Sequence, residues 1–237
     1  MCILTLDKIN FTYEDLVKNM AKKKSVSKSM LKIVKEAYDE SIELVKPRSL
    51  IKFFTVEEIE EDGGIVTLAD EAEKSKKYKL EIGRSAGHLY PASSVAMILS
   101  TVGAPIVAAM AKASEREDYI RMYYIDAFAV RALGEMNDYL RSYLEKKADE
   151  NNVGIGPFMQ PGAVAGWGVE GQRDIYTILD GKKIDLEINN AHFLIPNISD
   201  SAIVGMGDDY SAKRVGSMCH ECPRIKTCLW RRENVSD

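Results

Sequence analysis

From Leu89 to Ala111 this chain carries no charged residue. A stretch that long must be shielded from water, either in a bilayer or in a protein interior. Its own residues choose between the two. Pro91, Gly103 and Pro105 break any continuous helix, and Ser93, Ser94, Ser100 and Thr101 scatter hydroxyls through it. The stretch therefore reads as pieces of a globular core, with a buried strand at Val95-Ala96-Met97-Ile98-Leu99 and the start of a small-residue helix from Val107 to Ala113. No membrane partner is expected. The chain has 237 residues, of which 46% are hydrophobic, enough to bury a core in one large unit or two small ones.

Charge excludes a second class of partner. The net charge is -4, and Lys22-Lys23-Lys24 is the only basic block. Duplex binding needs a basic face that releases counterions, so no nucleic-acid partner is expected. The N-terminus reaches Asp7 before any long apolar run, which does not match a secretory leader. The expected location is cytoplasmic.

The rest of the chain alternates between two periodicities. Residues 13–46 read as helix, capped by Thr12 with Asp15 three residues on and stopped by Pro47. Residues 49–79 are β-favouring around the turn signal Asp62-Gly63-Gly64 and read as a hairpin or two short strands. Residues 81–100 read as a short helix and then the buried strand. A long helix follows over about 105–151, interrupted near Ala113-Ser114. A short helix is expected at 170–180, then strands at 184–188, 193–195 and 202–204. This order of elements is α+β, not the regular alternation of a doubly wound sheet. The expected division is a helical and hairpin portion at 1–94, a core at 95–210 and a cysteine-rich tail at 211–237, together one compact unit.

Two segments carry candidate chemistry. The first is the loop from Gly154 to Gly171, with five glycines before Gly171, two prolines and Trp167. Glycines let backbone approach a ligand closely, and a helix start just beyond offers free N–H groups. Gly166-Trp167-Gly168-Val169-Glu170-Gly171 matches the dinucleotide pattern G-x-G-x-x-G, with Asp185 and Glu187 downstream. No clean strand precedes it and too little chain follows for a Rossmann sheet. A tight structural connection is the alternative reading.

The second is Cys219-His220-Glu221-Cys222, followed by Cys228. Three clustered thiols suit a soft metal or an iron–sulfur cluster; a closed zinc site needs a fourth ligand, from His220 or Cys2. Unmetallated thiols remain the alternative. Lys213, Arg214, Arg224, Lys226, Arg231 and Arg232 make the tail locally basic, which favours thiolates. His88 and His192 stand apart from other catalytic residue types, and Asp208-Asp209 reads as an exposed turn.

The order of several pieces resembles the activation-domain family of cobalamin-dependent methionine synthase. These are Thr101-Val102-Gly103 after the buried strand, Asp126-Ala127 through Leu133, Pro161-Gly162, Gly166-Trp167 through Gln172, Pro196 with Ser199, Ser201 and Gly205, and Cys219, Cys222, Cys228 and Arg231. The resemblance covers roughly residues 95–232. It implies a twisted, mostly antiparallel sheet with long flanking helices. It also implies an accessory role in the reductive, S-adenosylmethionine-dependent reactivation of a corrinoid. The implied partners are a corrinoid protein or cobalamin-dependent methyltransferase and an electron donor. By the same resemblance Glu135, Gly162, Ala163, Trp167 and Gln172 shape the small-molecule pocket, and Cys219, Cys222 and Cys228 hold an iron–sulfur cluster or zinc. The chain departs from the family pattern at three places: Phe158 where the family loop carries Arg, Ala163 where it carries Tyr, and Gly134 where it carries a helix glutamate, with Glu135 one residue on. These departures favour an alternative, a non-catalytic metal-binding interaction module of a corrinoid system that has lost S-adenosylmethionine binding.

Overall fold

The computed structural model describes residues 1–21, 27–60, 64–163, 166–219 and 226. In chain order the elements are β1 (Cys2–Thr5), α1 (Tyr13–Ala21), α2 (Lys28–Leu44), β2 (Arg48–Glu60), β3 (Ile65–Asp70), β4 (Lys77–Glu81), β5 (Ser94–Thr101), α3 (Ala104–Glu115), α4 (Tyr119–Glu150), β6 (Gly154–Ile155), α5 (Gly171–Leu179), β7 (Glu187–Ile188), β8 (Leu194–Ile195) and β9 (Ser199–Gly207).

The uncharged stretch supplies the centre of the sheet. β5 pairs antiparallel with β2 on one side and β9 on the other. The full order is β4-β3-β2-β5-β9-β6, each neighbouring pair of strands running antiparallel. β1 occupies the same edge of the long β2 as β3 does, alongside its first residues, with Cys2 opposite Ile51 and Thr5 opposite Arg48. β5 is apolar at successive positions because both of its faces are covered. Val95, Met97 and Leu99 belong to one core layer, and Ala96 and Ile98 to the other.

The helix α4 holds two packing surfaces in one element. Its early residues Ile125, Phe128 and Ala132 meet Val34 and Ala37 of α2 and Ile106 of α3. Its later residues Met136, Leu140, Leu144 and Ala148 recur every four positions, so they form one stripe. That stripe lies with Ile51, Ile98, Ala202 and Val204 on one face of the sheet. The opposite face, with Phe54, Leu68, Val95 and Met97, buries Ile175 and Leu179 of α5 together with Trp167. Burying such a side chain contributes about 1.5–3 kcal/mol, so these two layers dominate the fold's stability.

Several expectations change in detail. Helix 13–46 is two helices, the second capped by the Ser27 side chain accepting from the Met30 N–H at 3.2 Å. The Thr12–Asp15 capping pair forms as a reciprocal bond. The helix of 105–151 breaks at residues 116–118, where Glu117 has φ 58° and Asp118 caps α4 through the Arg121 N–H. That break lies a few residues past Ala113-Ser114, because the side-chain acceptor that restarts the helix is Asp118. The strand at 184–188 shrinks to β7, since Gly181–Ile184 forms a 3-10 turn and Asp185 adopts φ 55°. The first strand, β1, has no apolar alternation of its own; pairing with β2 creates it. The Asp62-Gly63 turn and Lys22-Lys23-Lys24 lie outside the described residues. No helix among the described residues is long and apolar enough to cross a membrane.

Candidate functional site

The glycine loop is built around an aromatic ring. A Cβ at Gly156 would lie 2.9 Å from the Tyr210 ring, and one at Gly205 would lie 2.3 Å from its hydroxyl. The Tyr210 hydroxyl donates to the His88 carbonyl, and burial pushes its pKa well up. Similarly, a Cβ at Gly171 would meet Trp167 Nε1 at 2.2 Å. These glycines therefore admit protein side chains. Of the G-x-G-x-x-G match, Gly171 is thus closed against Trp167 by packing.

Beyond Gly156 the loop runs along the outer edge of β9. Met159 and Ile203 exchange backbone hydrogen bonds at 3.0 and 2.9 Å. The next residue in position to pair outward is Pro161, which has no N–H, so the ladder stops. Gly162, at φ 77°, then turns the chain, and its N–H donates to the Trp167 carbonyl at 2.9 Å. The result is a cleft of about 520 Å³ between loop and strand. Gln160, Pro161, Gly162 and Ala163 line it from the loop; Val169 and Gln172 from the start of α5; exposed Phe193 from the β7–β8 hairpin; and Ser199, Asp200 and Ser201 from β9.

Among the described residues, Asp200 is the only ionisable one in that lining. Its Oδ2 accepts from Asn137 Nδ2 of α4 at 2.7 Å and from Gln160 Nε2 at 3.1 Å. Burial pushes its carboxyl up to about 6, against the hydrogen bonds from Asn137, Ser100 and Gln160 and the charge of Arg141. Three oxygens here are buried with no hydrogen-bond partner among the described residues: Asp200 Oδ1, Asn137 Oδ1 and Ser201 Oγ. Buried acceptors without donors are costly and rare in a settled core.

The residues anticipated from sequence divide into two groups. Gly162, Ala163 and Gln172 line the cleft. Trp167 does not; it is buried in the core layer under α5, beside a second, more polar hollow formed with Lys79, Glu81 and Asp174. Nor does Glu135 reach the cleft. Its two carboxylate oxygens accept from the Asn10 N–H at 2.7 Å and the Phe11 N–H at 2.9 Å, fixing the segment that precedes α1. On a helix, neighbouring residues diverge by about 100°, which is why Glu135 faces α1 while Met136 faces the sheet. Phe158, in the loop position where the resemblance places Arg, is buried under the Arg141 guanidinium, 4.5 Å from its ring centroid. Arg141 Nη1 itself donates to the carbonyls of Val215 and Gly216 at 3.2 and 3.0 Å.

Asp200, Asn137 and Gln160 escaped the sequence reading. The only available signal was an acid between two serines, Ser199 and Ser201, at the head of the apolar run Ala202-Ile203-Val204. Of the thiol cluster, Cys219 is half-buried and not in a disulfide. Cys222 and Cys228 lie outside the described residues. Among the described residues no group of three His, Cys, Asp or Glu side chains is placed to hold a metal.

Among solved structures, the chain is similar to the MetH reactivation domain in a crystal structure with AdoHcy bound. The TM-score is 0.60, with 14% identity over 90% of this chain and 81% of that chain. The likeness is one of fold. It is the α+β architecture expected from the sequence: a mostly antiparallel sheet flanked by long helices. No family model matches the sequence, and no curated protein does.

Proposed function

We propose that this chain is an activation-domain-like accessory protein of a corrinoid methyl-transfer system, and that the cleft along β9 is its S-adenosylmethionine site. One observation carries the reading. Gly162, Ala163 and Gln172, picked out by sequence resemblance, converge on one cleft in a fold whose solved neighbour carries AdoHcy. The cleft volume lies within the usual range for small-molecule sites, about 300–1,000 Å³. The unmatched Asp200 Oδ1 and Ser201 Oγ, both on residues that line the cleft, suit the ammonium and hydroxyl donors of such a ligand.

When bound, S-adenosylmethionine supplies an electrophilic methyl group. The chain's own work is to hold and orient it. Gln160 and Gln172 offer amides from opposite walls, Phe193 offers an exposed ring for stacking, and the loop turn at Gly162 sets the wall's position. A corrinoid protein or cobalamin-dependent methyltransferase, with an electron donor, would complete the reaction.

A specific observation favours a second reading, the interaction module. Among the described residues no Arg or Lys lines the cleft to meet a ligand carboxylate, and Phe158 is buried away from it. Calorimetric titration of the purified chain with S-adenosylmethionine and AdoHcy separates the two. The proposed site predicts saturable one-to-one binding, weakened about tenfold by Gln172→Ala, the loss of one or two hydrogen bonds. Absence of binding by both ligands at millimolar concentration would establish the module instead. Metal and sulfide analysis of anaerobically purified protein tests the thiol cluster separately: a cluster lost on changing Cys219, Cys222 or Cys228 to Ser supports electron delivery by the tail.

A further inference from the structure

The cleft is electrostatically one-sided. Among the described residues its lining contains a single ionisable group, the Asp200 carboxylate, and no cation. The buried side-chain atoms without a hydrogen-bond partner among the described residues near it are three oxygens, Asp200 Oδ1, Asn137 Oδ1 and Ser201 Oγ, and one nitrogen, Arg141 Nε. The groups facing Asp200 are Asn137 and Arg141 from α4, Gln160 from the loop and Ser100 from β5. Arg141 is the one charge among them, and its Nη1 is directed to the Val215 and Gly216 carbonyls behind Phe158. A buried carboxylate in low dielectric attracts a cation far more strongly than in water.

We propose that Asp200 makes the cleft selective for positive charge, so that it takes the sulfonium ligand S-adenosylmethionine in preference to the neutral thioether AdoHcy. This rests on the reading of the cleft as an adenosyl-ligand site. The two ligands share adenosine, carboxylate and ammonium groups and differ only in the methyl group and its permanent charge. Their affinity ratio therefore isolates that charge. Discrimination of this kind also has a direct use: methyl donor enters while demethylated product leaves. Asp200 acts here as a specificity-determining residue, its charge reaching the ligand across the cleft floor.

The test is parallel titration of wild type and Asp200→Asn with both ligands at pH 7.5, with folding checked by circular dichroism. The expected wild-type ratio is about tenfold in favour of S-adenosylmethionine, falling to about one in the variant. Should Asp200→Asn not fold, the wild type alone decides. Lowering the pH from 7.5 to 5 neutralises Asp200 while the sulfonium keeps its charge, so the ratio falls; a ratio unchanged by pH overturns the proposal. Equal affinities in the wild type, or an unchanged ratio in the variant, would also overturn it and leave the adenosyl site standing. Binding of neither ligand removes the site reading itself, and the preference with it.

Discussion

Asp70, at the end of β3, and Asp200, near the start of β9, hang from the same sheet in contrasting company. Asp70 is buried, paired with the Lys52 ammonium, and accepts from the Ala72 N–H at 3.0 Å. The Lys52 hydrogen bond holds its carboxyl below the usual carboxylate range. Asp200 accepts from two neutral amides and keeps one buried oxygen unmatched, and burial pushes its carboxyl up to about 6. The first is arranged for stability. The second leaves an electrostatic demand open on the floor of a cleft. Unmatched groups of this kind concentrate where a protein binds something, since nothing else repays the expense of retaining them.

The contrast yields predictions, largest first. As a reference for pure packing on β9, Ile203→Ala should cost about 3–4 kcal/mol, read from chemical denaturation, because its side chain is wholly buried between β5 and α5. Asp70→Asn should cost about 2 kcal/mol by stranding the Lys52 charge, which is 17% exposed. Its contribution has a definite pH sense. A carboxyl lowered on folding stabilises above its unfolded value of 3.8, and that stability is lost as pH falls through the folded value. A loss of stability at mildly alkaline pH instead would contradict the pairing.

Asp200→Asn should move the other way. A carboxyl raised on folding takes up protons in the folded state, so it destabilises at neutral pH and ceases to do so as pH falls from about 6 towards 4. Asparagine can still accept from Asn137 and Gln160. The variant should therefore gain about 1–2 kcal/mol at pH 7.5, with the gain shrinking at pH 4. A loss at pH 7.5 would place Asp200 with Asp70 as a structural group. Glu135→Gln should cost about 1 kcal/mol, because its single amide oxygen can accept from only one of the Asn10 and Phe11 N–H groups, and leave ligand affinity unchanged. The smallest effect is that of Ser201→Ala, expected within about 0.5 kcal/mol of wild type or slightly stabilising, because its hydroxyl is buried without a partner.

Elements that announce themselves by composition were legible in the sequence. β5 is one, since Val95 to Leu99 can only be a doubly buried strand once membrane insertion is excluded. α4 is another, through its four-residue recurrence of Met136, Leu140 and Leu144. β1 was not, because its order comes from β2, a partner more than forty residues away. The candidate site divides on the same line. Gly162, Ala163 and Gln172 sit in a compositionally unusual loop and draw notice. Asp200, Asn137 and Gln160 come from a strand, a helix and a loop that are ordinary in isolation, and only the fold brings them together. Glu135 shows the converse error of one helical step, a rotation that sequence spacing alone does not resolve.

The most direct test of the central claim, that the β9 cleft is the ligand site, is amide chemical-shift mapping of the isotope-labelled chain during titration with S-adenosylmethionine. The account predicts saturable shifts centred on Gln160, Gly162, Ala163, Gln172, Phe193 and Asp200, with Glu135 and Asp70 unmoved. Shifts centred instead on the hollow of Lys79, Glu81 and Asp174, or no saturable shift at millimolar ligand, would contradict it.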